Sequence, residues 1–397
     1  MNIDLKKPLV YVTRDIERAL GVEPTGNYFV VSNKTPFGEM VKNKYPNNVL
    51  LIDTTNLKDT YDLLLVPEVQ EMISQHAADV VVFQNTARIE RLAQEKGWNL
   101  LNPRAELSKH VEEKVSQIEW LKDDANLLPP HTVTILKNVQ FQGKQFVLQF
   151  NHSHTGEGTY IIESEAQLAA LQKQFPEREC RVVDFISGPV FTVNAIVADE
   201  IYIGNPSYQI TGLSPFTDLP FSTIGNDWEL PQAPHYKNAY EDINKMAARL
   251  GQRLQDDGWR GLFGIDVVYD EKKKKTYLLE LNARQPASSV YESTLQKKAE
   301  PKKLSVFEAH LAALTKSPLR TEIGTIEKGS QIVKRITSEK YDVDIDSMRR
   351  KGLNVMEYTN DIHNKELFRI QSTSGVMEGH NLLNSLGLFI ASCVKNR

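Results

Sequence analysis

The sequence predicts an α/β region followed by an α+β region, and three observations carry the prediction. Short apolar runs alternate with amphipathic segments over the first hundred residues. Runs bounded by glycine and proline pair off as strands through the middle of the chain, and the last seventy residues mix strands with helices. At 397 residues the chain is too long for one ordinary core, so two or three domains are expected.

Composition narrows the class. The chain is 41% hydrophobic and 25% charged with a net charge of −4, a balance typical of soluble globular proteins. A nucleic-acid or anionic-membrane partner calls for a basic footprint, which this chain does not have. The opening MNIDLKKPLVYVTRD holds an apolar run of four residues, whereas a membrane span needs about 20. Cys180 and Cys393 are far apart and outside any ligand spacing, so neither a disulfide framework nor a zinc site is expected. The expected compartment is the cytoplasm.

In the first region PLVYVT (8–13), NYFVVS (27–32), VLLIDT (49–54) and DVVVFQ (79–84) read as buried strands, and TARIERLAQEKGW (86–98) as a helix. This βαβ rhythm implies a parallel sheet covered on both faces. No GxGxxG follows the first strand, so a dinucleotide fingerprint is missing. SKHVEEKVSQIEWLKDDAN (108–126) reads as one helix from Leu107 that ends at the prolines of LLPPHT. FVLQFNHSHTGEGTYII (146–162) reads as strand, glycine turn, strand, and ECRVVDFISGPVFTVNAIV (179–197) as two strands around Ser187-Gly188-Pro189. Residues 205–228 read as a long polar loop, which at that length is more often functional than connecting. A helix at 240–259 precedes the strands GIDVVYD (264–270) and TYLLELN (276–282), and GSQIVKRIT and KELFRIQSTS are strands of the final region.

The stretch TYLLELNARQ (276–285) carries the chemistry. At period two Leu279, Leu281 and Ala283 share one face, and Glu280, Asn282 and Arg284 the other. The lysine run 272–275 is a solvated turn, so the two strands form a hairpin, and pairing symmetric about Lys273 sets Asp266 opposite Glu280. A one-residue slip would separate them. Facing carboxylates destabilise a sheet unless a proton, a basic neighbour or a divalent cation intervenes. Asp, Glu and Asn with open positions suit Mg2+, which takes one or two carboxylates plus phosphate oxygens, and Arg284 could hold a phosphate or carboxylate bidentately. A phosphate cradle is available in HSHTGEGTY, where Gly156 and Gly158 let backbone N–H groups approach closely.

Taken in order, these motifs resemble the ATP-grasp superfamily of ATP-dependent ligases, over about residues 107–320. The resemblance implies an ATP-grasp architecture: an N-terminal parallel α/β domain (1–106), an ATP-grasp domain (107–320) with a small lid subdomain (about 128–185), and a C-terminal α+β extension (321–397). GLFGIDVVYD…TYLLELNARQPASS is similar to the family's metal-binding strand pair, an acidic residue followed by Glu-x-Asn-x-Arg. By that match Asp266, Glu280 and Asn282 would bind Mg2+ (or Mn2+) bridging ATP phosphates, and Arg284 would be the catalytic residue beside the transferred phosphoryl group. Lys114 matches a lysine that contacts nucleotide phosphate. HTGEGTY resembles the glycine-rich lid loop, which places His154, Gly156, Gly158 and Thr159 at the nucleotide. RVVDFISG resembles the hinge where backbone groups of Asp184 and Ile186 would read adenine. Gln149 would be a further ATP-binding residue, but it departs from the family, where a lysine reaching the α/β-phosphates is usual, and keeps a hydrogen bond while losing the charge. The hinge departs too, lacking the usual Glu near the ribose and offering only apolar residues and Asn194.

The implied activity is an ATP-dependent ligase that activates a small carboxylate as an acylphosphate for attack by an amine. Catalysis then rests on positioning and charge neutralisation, with no protein nucleophile, which agrees with the lack of a Ser-His-Asp or Cys-His signature. QPASSVYES (285–293), with Ser288 and Ser289, should line the acceptor pocket, and Ser207, Gln209 and Asn226 should line another wall. The expected partners are small-molecule carboxylates and amines, with no nucleic acid and no membrane, and a homo-oligomer is left open. Two alternatives stand beside this: a carboxylase-type enzyme acting on bicarbonate, and a nucleotide-binding module with weak or no ligase activity, motivated by Gln149 and the hinge.

Overall fold

The computed structural model describes residues 3–396 except 55, 152–157, 320, 339, 359 and 361. The first four strands, β1 (Leu9–Val12), β2 (Tyr28–Asn33), β3 (Val49–Ile52) and β4 (Asp79–Val82), form a parallel sheet in the order β3-β2-β1-β4. Val10, Val12 and Val31 pack on one face with Leu63 and Ile73 of the helices before β4 and with Ile89 and Leu92 of the helix after it. Tyr11, Val30 and Val81 pack on the other with Phe307, Leu311 and Leu314, which belong to a much later helix, Val306–Leu314. Burial on both faces explains the unbroken apolar runs. Helix Ala87–Lys96 starts at Thr86, whose hydroxyl accepts from Ile89 N–H, and stops at Gly97 in the left-handed region.

A small antiparallel sheet follows: β5 (His131–Ile135), β6 (Phe146–Phe150), β7 (Thr159–Ile162) and β8 (Glu179–Asp184), in the order β5-β8-β6-β7. Its own core includes Phe146, Leu148, Phe150, Ile162 and Leu168. The chain leaves it through Ser187-Gly188-Pro189, where a side chain on Gly188 would strike the carbonyl of Tyr269. That stretch therefore joins the small sheet to the large one.

The large sheet comprises β9 (Val190–Val197), β10 (Ile201–Ile203), β11 (Ser207–Thr211), β12 (Thr223–Asp227), β13 (Gly261–Asp270), β14 (Lys275–Asn282) and β15 (Ser330–Arg335), and beyond the short β16 (Tyr341–Val343) also β17 (Asn354–Glu357) and β18 (Glu366–Ser372). Its order is β14-β13-β9-β11-β12-β15-β18-β17, with β10 on β9. Of the C-terminal strands β15, β17 and β18 thus extend this sheet, whereas β16 pairs with Val394–Asn396 in a separate two-stranded sheet. The apolar side of helix Lys237–Asp256 (Ile243, Met246, Ala247, Leu250, Leu254) covers one face, against Phe191, Val193, Ala195, Phe263, Ile265 and Leu281. Each fully buried Leu, Ile or Met contributes about 1.5–3 kcal/mol. No helix among the described residues is long and apolar enough to cross a membrane.

Three local expectations are corrected. Residues 205–228 are not one loop, because β11 and β12 pair within them. Tyr208 and Ile210 alternate with Ser207 and Gln209 and bury one face, a period-two signal masked by the flanking prolines and glycines. The single helix over 108–126 is two, Ala105–Glu112 and Ser116–Leu121, separated by an extended Glu113 and followed by a 3-10 turn. Asn151 holds the break open: its Oδ1 accepts from Val115 N–H (2.8 Å) and its Nδ2 donates to Glu113 Oε2 (3.1 Å). Finally, Leu279 does not share the core face with Leu281 and Ala283. Leu278 takes that place, because a β-bulge falls between the Val267–Leu278 and Asp266–Glu280 pairs.

Candidate active site

The bulge sets the register at the site. Near the turn Asp270 pairs with Lys275 and Val267 with Leu278, a register that would place Asp266 opposite Leu279. The extra residue moves the ladder by one, so that Asp266 faces Glu280 and Gly264 faces Asn282. The row continues across the sheet, since Asp266 pairs with Thr192 of β9 and Thr192 with Ser207 of β11. Direct ladder partners share a face, so Glu280, Asp266, Thr192 and Ser207 line one side of four adjacent strands.

Two cations contact this row directly. Lys114, buried in the break between the two helices, donates through Nζ to Glu280 Oε1 at 2.7 Å. Arg284 Nη2 donates to Asn282 Oδ1 at 2.7 Å, and its Nε lies 3.5 Å from Glu112 Oε1. Asn282 Nδ2 in turn donates to Asp266 Oδ2 at 3.1 Å. The two facing carboxylates diverge in proton affinity. Burial and then the Glu280 charge push Asp266 up, against hydrogen bonds from Thr192 and Asn282. Burial also raises Glu280, but Lys114, Arg284 and Arg181 outweigh it and hold that carboxyl below its usual range. One carboxyl easily protonated beside one firmly ionised is how a sheet tolerates such a pair.

Among the described residues no group of three His, Cys, Asp or Glu side chains forms a metal centre. The candidate set is two carboxylates and an amide. That suits Mg2+, a hard cation that keeps several water or phosphate ligands, and does not suit a metal needing a full protein cage. Glu280 Oε1 and Asn282 Oδ1, two oxygens of that candidate set, accept here from Lys114 and Arg284.

The nucleotide side is less uniform. Gln149 Oε1 accepts from Arg181 Nε at 2.9 Å, and among the described residues no partner takes its Nε2, the donor a phosphate would need. The N–H of Asp184 donates to Pro130 O at 2.9 Å and is not available to a purine, whereas no hydrogen bond among the described residues engages Ile186. Gly158 has φ +143°, a conformation that favours glycine, and its carbonyl accepts from Phe150 N–H, so that Thr159 begins β7 at the foot of the loop. His154 and Gly156 lie outside the described residues.

The acceptor-side residues divide. Ser207 Oγ accepts from Asn226 Nδ2 (3.1 Å), Asn226 Oδ1 accepts from Gln331 Nε2 (3.1 Å), and Gln209 pairs with Asn226. Ser288 Oγ accepts from Asn194 Nδ2 (3.0 Å), two residues along β9 from Thr192. Ser289 is fully buried, and its hydroxyl donates to Pro286 O at 2.7 Å, which shapes the start of a helix.

Sequence reasoning missed Glu112, Arg181 and Glu292. The run Glu112-Glu113-Lys114 was a signal for the first. The other two become visible only when separate strands meet. Glu292 is fully buried, accepts from Asn194 Nδ2 (2.5 Å) and Asn205 N–H (2.6 Å), and burial pushes its carboxyl up to about 7.

Residues 111–288 match the family model described as an ATP-grasp domain. No curated protein matches the sequence significantly. Solved structures share the fold over nearly the whole chain. The N5-carboxyaminoimidazole synthetase from Staphylococcus aureus superposes with a TM-score of 0.65 at 13% identity, covering 98% of each chain. The L-amino acid ligase from Bacillus licheniformis gives 0.65 at 12% identity over 99% of each. An Aspergillus clavatus N5-carboxyaminoimidazole synthase, solved with ADP and 5-aminoimidazole ribonucleotide, gives 0.64 at 13% over 93% of this chain and 94% of that one.

Proposed function

We propose that this chain, whose residues 111–288 match the ATP-grasp domain model, is an ATP-dependent carboxylate–amine ligase. The observation that carries this reading is the register at the hairpin: Asp266 opposite Glu280, with Asn282 and Arg284 next along the same strand. In this reading ATP gives its γ-phosphoryl group to a small carboxylate, and an amine then displaces phosphate from the acylphosphate.

Asp266, Glu280 and Asn282 would hold Mg2+, which neutralises phosphate charge when bound. Lys114 balances Glu280 now and would turn to a nucleotide phosphate as that anion arrives. Arg284, held between Asn282 and Glu112, would meet the acid being phosphorylated. Gly158, Thr159 and Ile186 would border the nucleotide, and Ser207, Gln209, Asn226 and Ser288 the acid and amine. The two carboxylates and the two cations do the electrostatic work, and no covalent protein intermediate is required.

A second reading, in which bicarbonate is the acid and a carboxylated amine the product, is favoured by the likeness to carboxyaminoimidazole synthetases. A ribonucleotide acceptor would also need cations to receive its phosphate. At the junction of the N-terminal sheet with the large sheet three arginines gather around one carboxylate, and Arg369 Nε keeps no hydrogen-bond partner among the described residues. Arg369 Nη2 donates to both oxygens of Glu366 (3.0 and 2.8 Å), Arg18 lies 3.8 Å from the same carboxylate, and Arg335 donates to the carbonyls of Thr223 and Asn364. The test is ADP and phosphate release from MgATP with a panel of amino acids and other carboxylates, each with and without amines, and with bicarbonate in a parallel arm. Release that needs both an acid and an amine supports the ligase. Dependence on bicarbonate selects the second reading, and nucleotide binding without turnover across the panel means a binding module.

A further inference from the structure

Arg181 is 1% exposed, yet no carboxylate among the described residues pairs with it. Its Nε donates to Gln149 Oε1 (2.9 Å) and its Nη1 to Gln117 Oε1 (3.0 Å), both neutral amides. No partner among the described residues takes Nη2. Gln149 is its ladder partner on β6, and Gln117 belongs to the helix Ser116–Leu121, so the guanidinium sits where the small sheet meets the body. The Glu280 charge reaches it there. Burial draws it down to about 10, which leaves it cationic at neutral pH.

A buried cation held only by amide oxygens is incompletely compensated, and a site of that kind is complementary to an anion. The two amides also fix the plane of the guanidinium, so Nη2 has a set direction and loses little freedom on meeting a ligand. Lys114 Nζ, 2.7 Å from Glu280 Oε1, is the second cation close to that carboxylate. We propose that Arg181, oriented by Gln149 and Gln117, is the cation that the small sheet presents to the polyphosphate of the bound nucleotide. Gln149 is then a positioning residue whose acceptor faces Arg181 and not the ligand. This assignment rests on the reading of the cleft as a nucleotide site.

The test is calorimetric titration of the full chain with MgADP and, separately, with adenosine, which lacks phosphate. Arg181→Gln should weaken MgADP about tenfold or more, the loss of one charge-assisted hydrogen bond, and leave adenosine within about twofold. Gln149→Lys added to Arg181→Gln moves the charge across the ladder and should bring MgADP back to within about fivefold of the parent. Unchanged MgADP affinity in Arg181→Gln, or an equal loss for MgADP and adenosine, overturns the assignment and leaves Arg181 a structural seam. Should Arg181→Gln not fold, the double variant decides, because it keeps the charge count: MgADP still tenfold weak with adenosine unchanged refutes the proposal. A parent protein that binds neither compound defeats the nucleotide reading itself, a result separate from either outcome for Arg181.

Discussion

Lys114→Met removes a charge while keeping the length of the side chain, and its two consequences differ in size. Lys114 is about nine-tenths buried, but its partner Glu280 has 43% of its side chain exposed, so water can replace much of the lost 2.7 Å contact. Discounted for that exposure, the stability cost is about 1 kcal/mol, near the top of the range for accessible pairs. Nucleotide binding should suffer more. One hydrogen bond to a charged group is worth about 1.5–3 kcal/mol, which converts to roughly a 10- to 150-fold weaker MgADP complex. Calorimetric titration measures the second quantity and urea denaturation the first. MgADP affinity unchanged together with a stability loss above about 3 kcal/mol would refute the reasoning, because Lys114 would then be a structural counter-ion and nothing more.

Three further predictions follow from the same geometry. Glu280→Gln should lower the Mg2+ dependence of nucleotide binding at least about tenfold and abolish MgATP turnover without unfolding the chain; full turnover in that variant would remove Glu280 from the metal site. Glu292 is raised from 4.5 to about 7 by burial, so the folded state binds its proton more tightly than the unfolded chain. Its contribution is most favourable below about 4.5 and is lost as pH rises to 7, about 3 kcal/mol in all. Glu292→Gln should therefore gain on the parent between pH 5 and 8 in thermal denaturation, and parallel profiles would contradict the shift. Tyr11→Phe removes the 2.6 Å bond from the phenol to Gln285 Oε1 and leaves a buried acceptor unpaired, which should cost about 1–2 kcal/mol in urea, whereas an unchanged midpoint would show that Gln285 finds another donor.

The strands of the N-terminal sheet were legible because burial on both faces writes itself as unbroken apolar runs. The hairpin of Asp266 and Glu280 was legible too, but for an incomplete reason. Symmetry about Lys273 gave the right pairing, whereas the ladder near the turn runs one residue out and Leu279 makes up the difference. A bulge has no reliable sequence signature, since it is fixed by how neighbouring strands twist and pack. Lys114 was found by resemblance, but the kink that brings it to Glu280 depends on Asn151, 37 residues on in sequence. The hydrogen bond of Gln149 to Arg181 joins residues from two strands, and no local pattern announces it. Residues 205–228 were misread because prolines and glycines hid a period-two face that only the rest of the sheet completes.

The central claim is that a carboxylate is phosphorylated by ATP before an amine attacks it. A substrate acid labelled with 18O in its carboxylate tests this directly, once the panel has identified one. An acylphosphate route carries one labelled oxygen from the acid into each phosphate released, and mass spectrometry of the phosphate should show that transfer in step with product formation. Phosphate free of label, formed as fast as the product, would contradict the account.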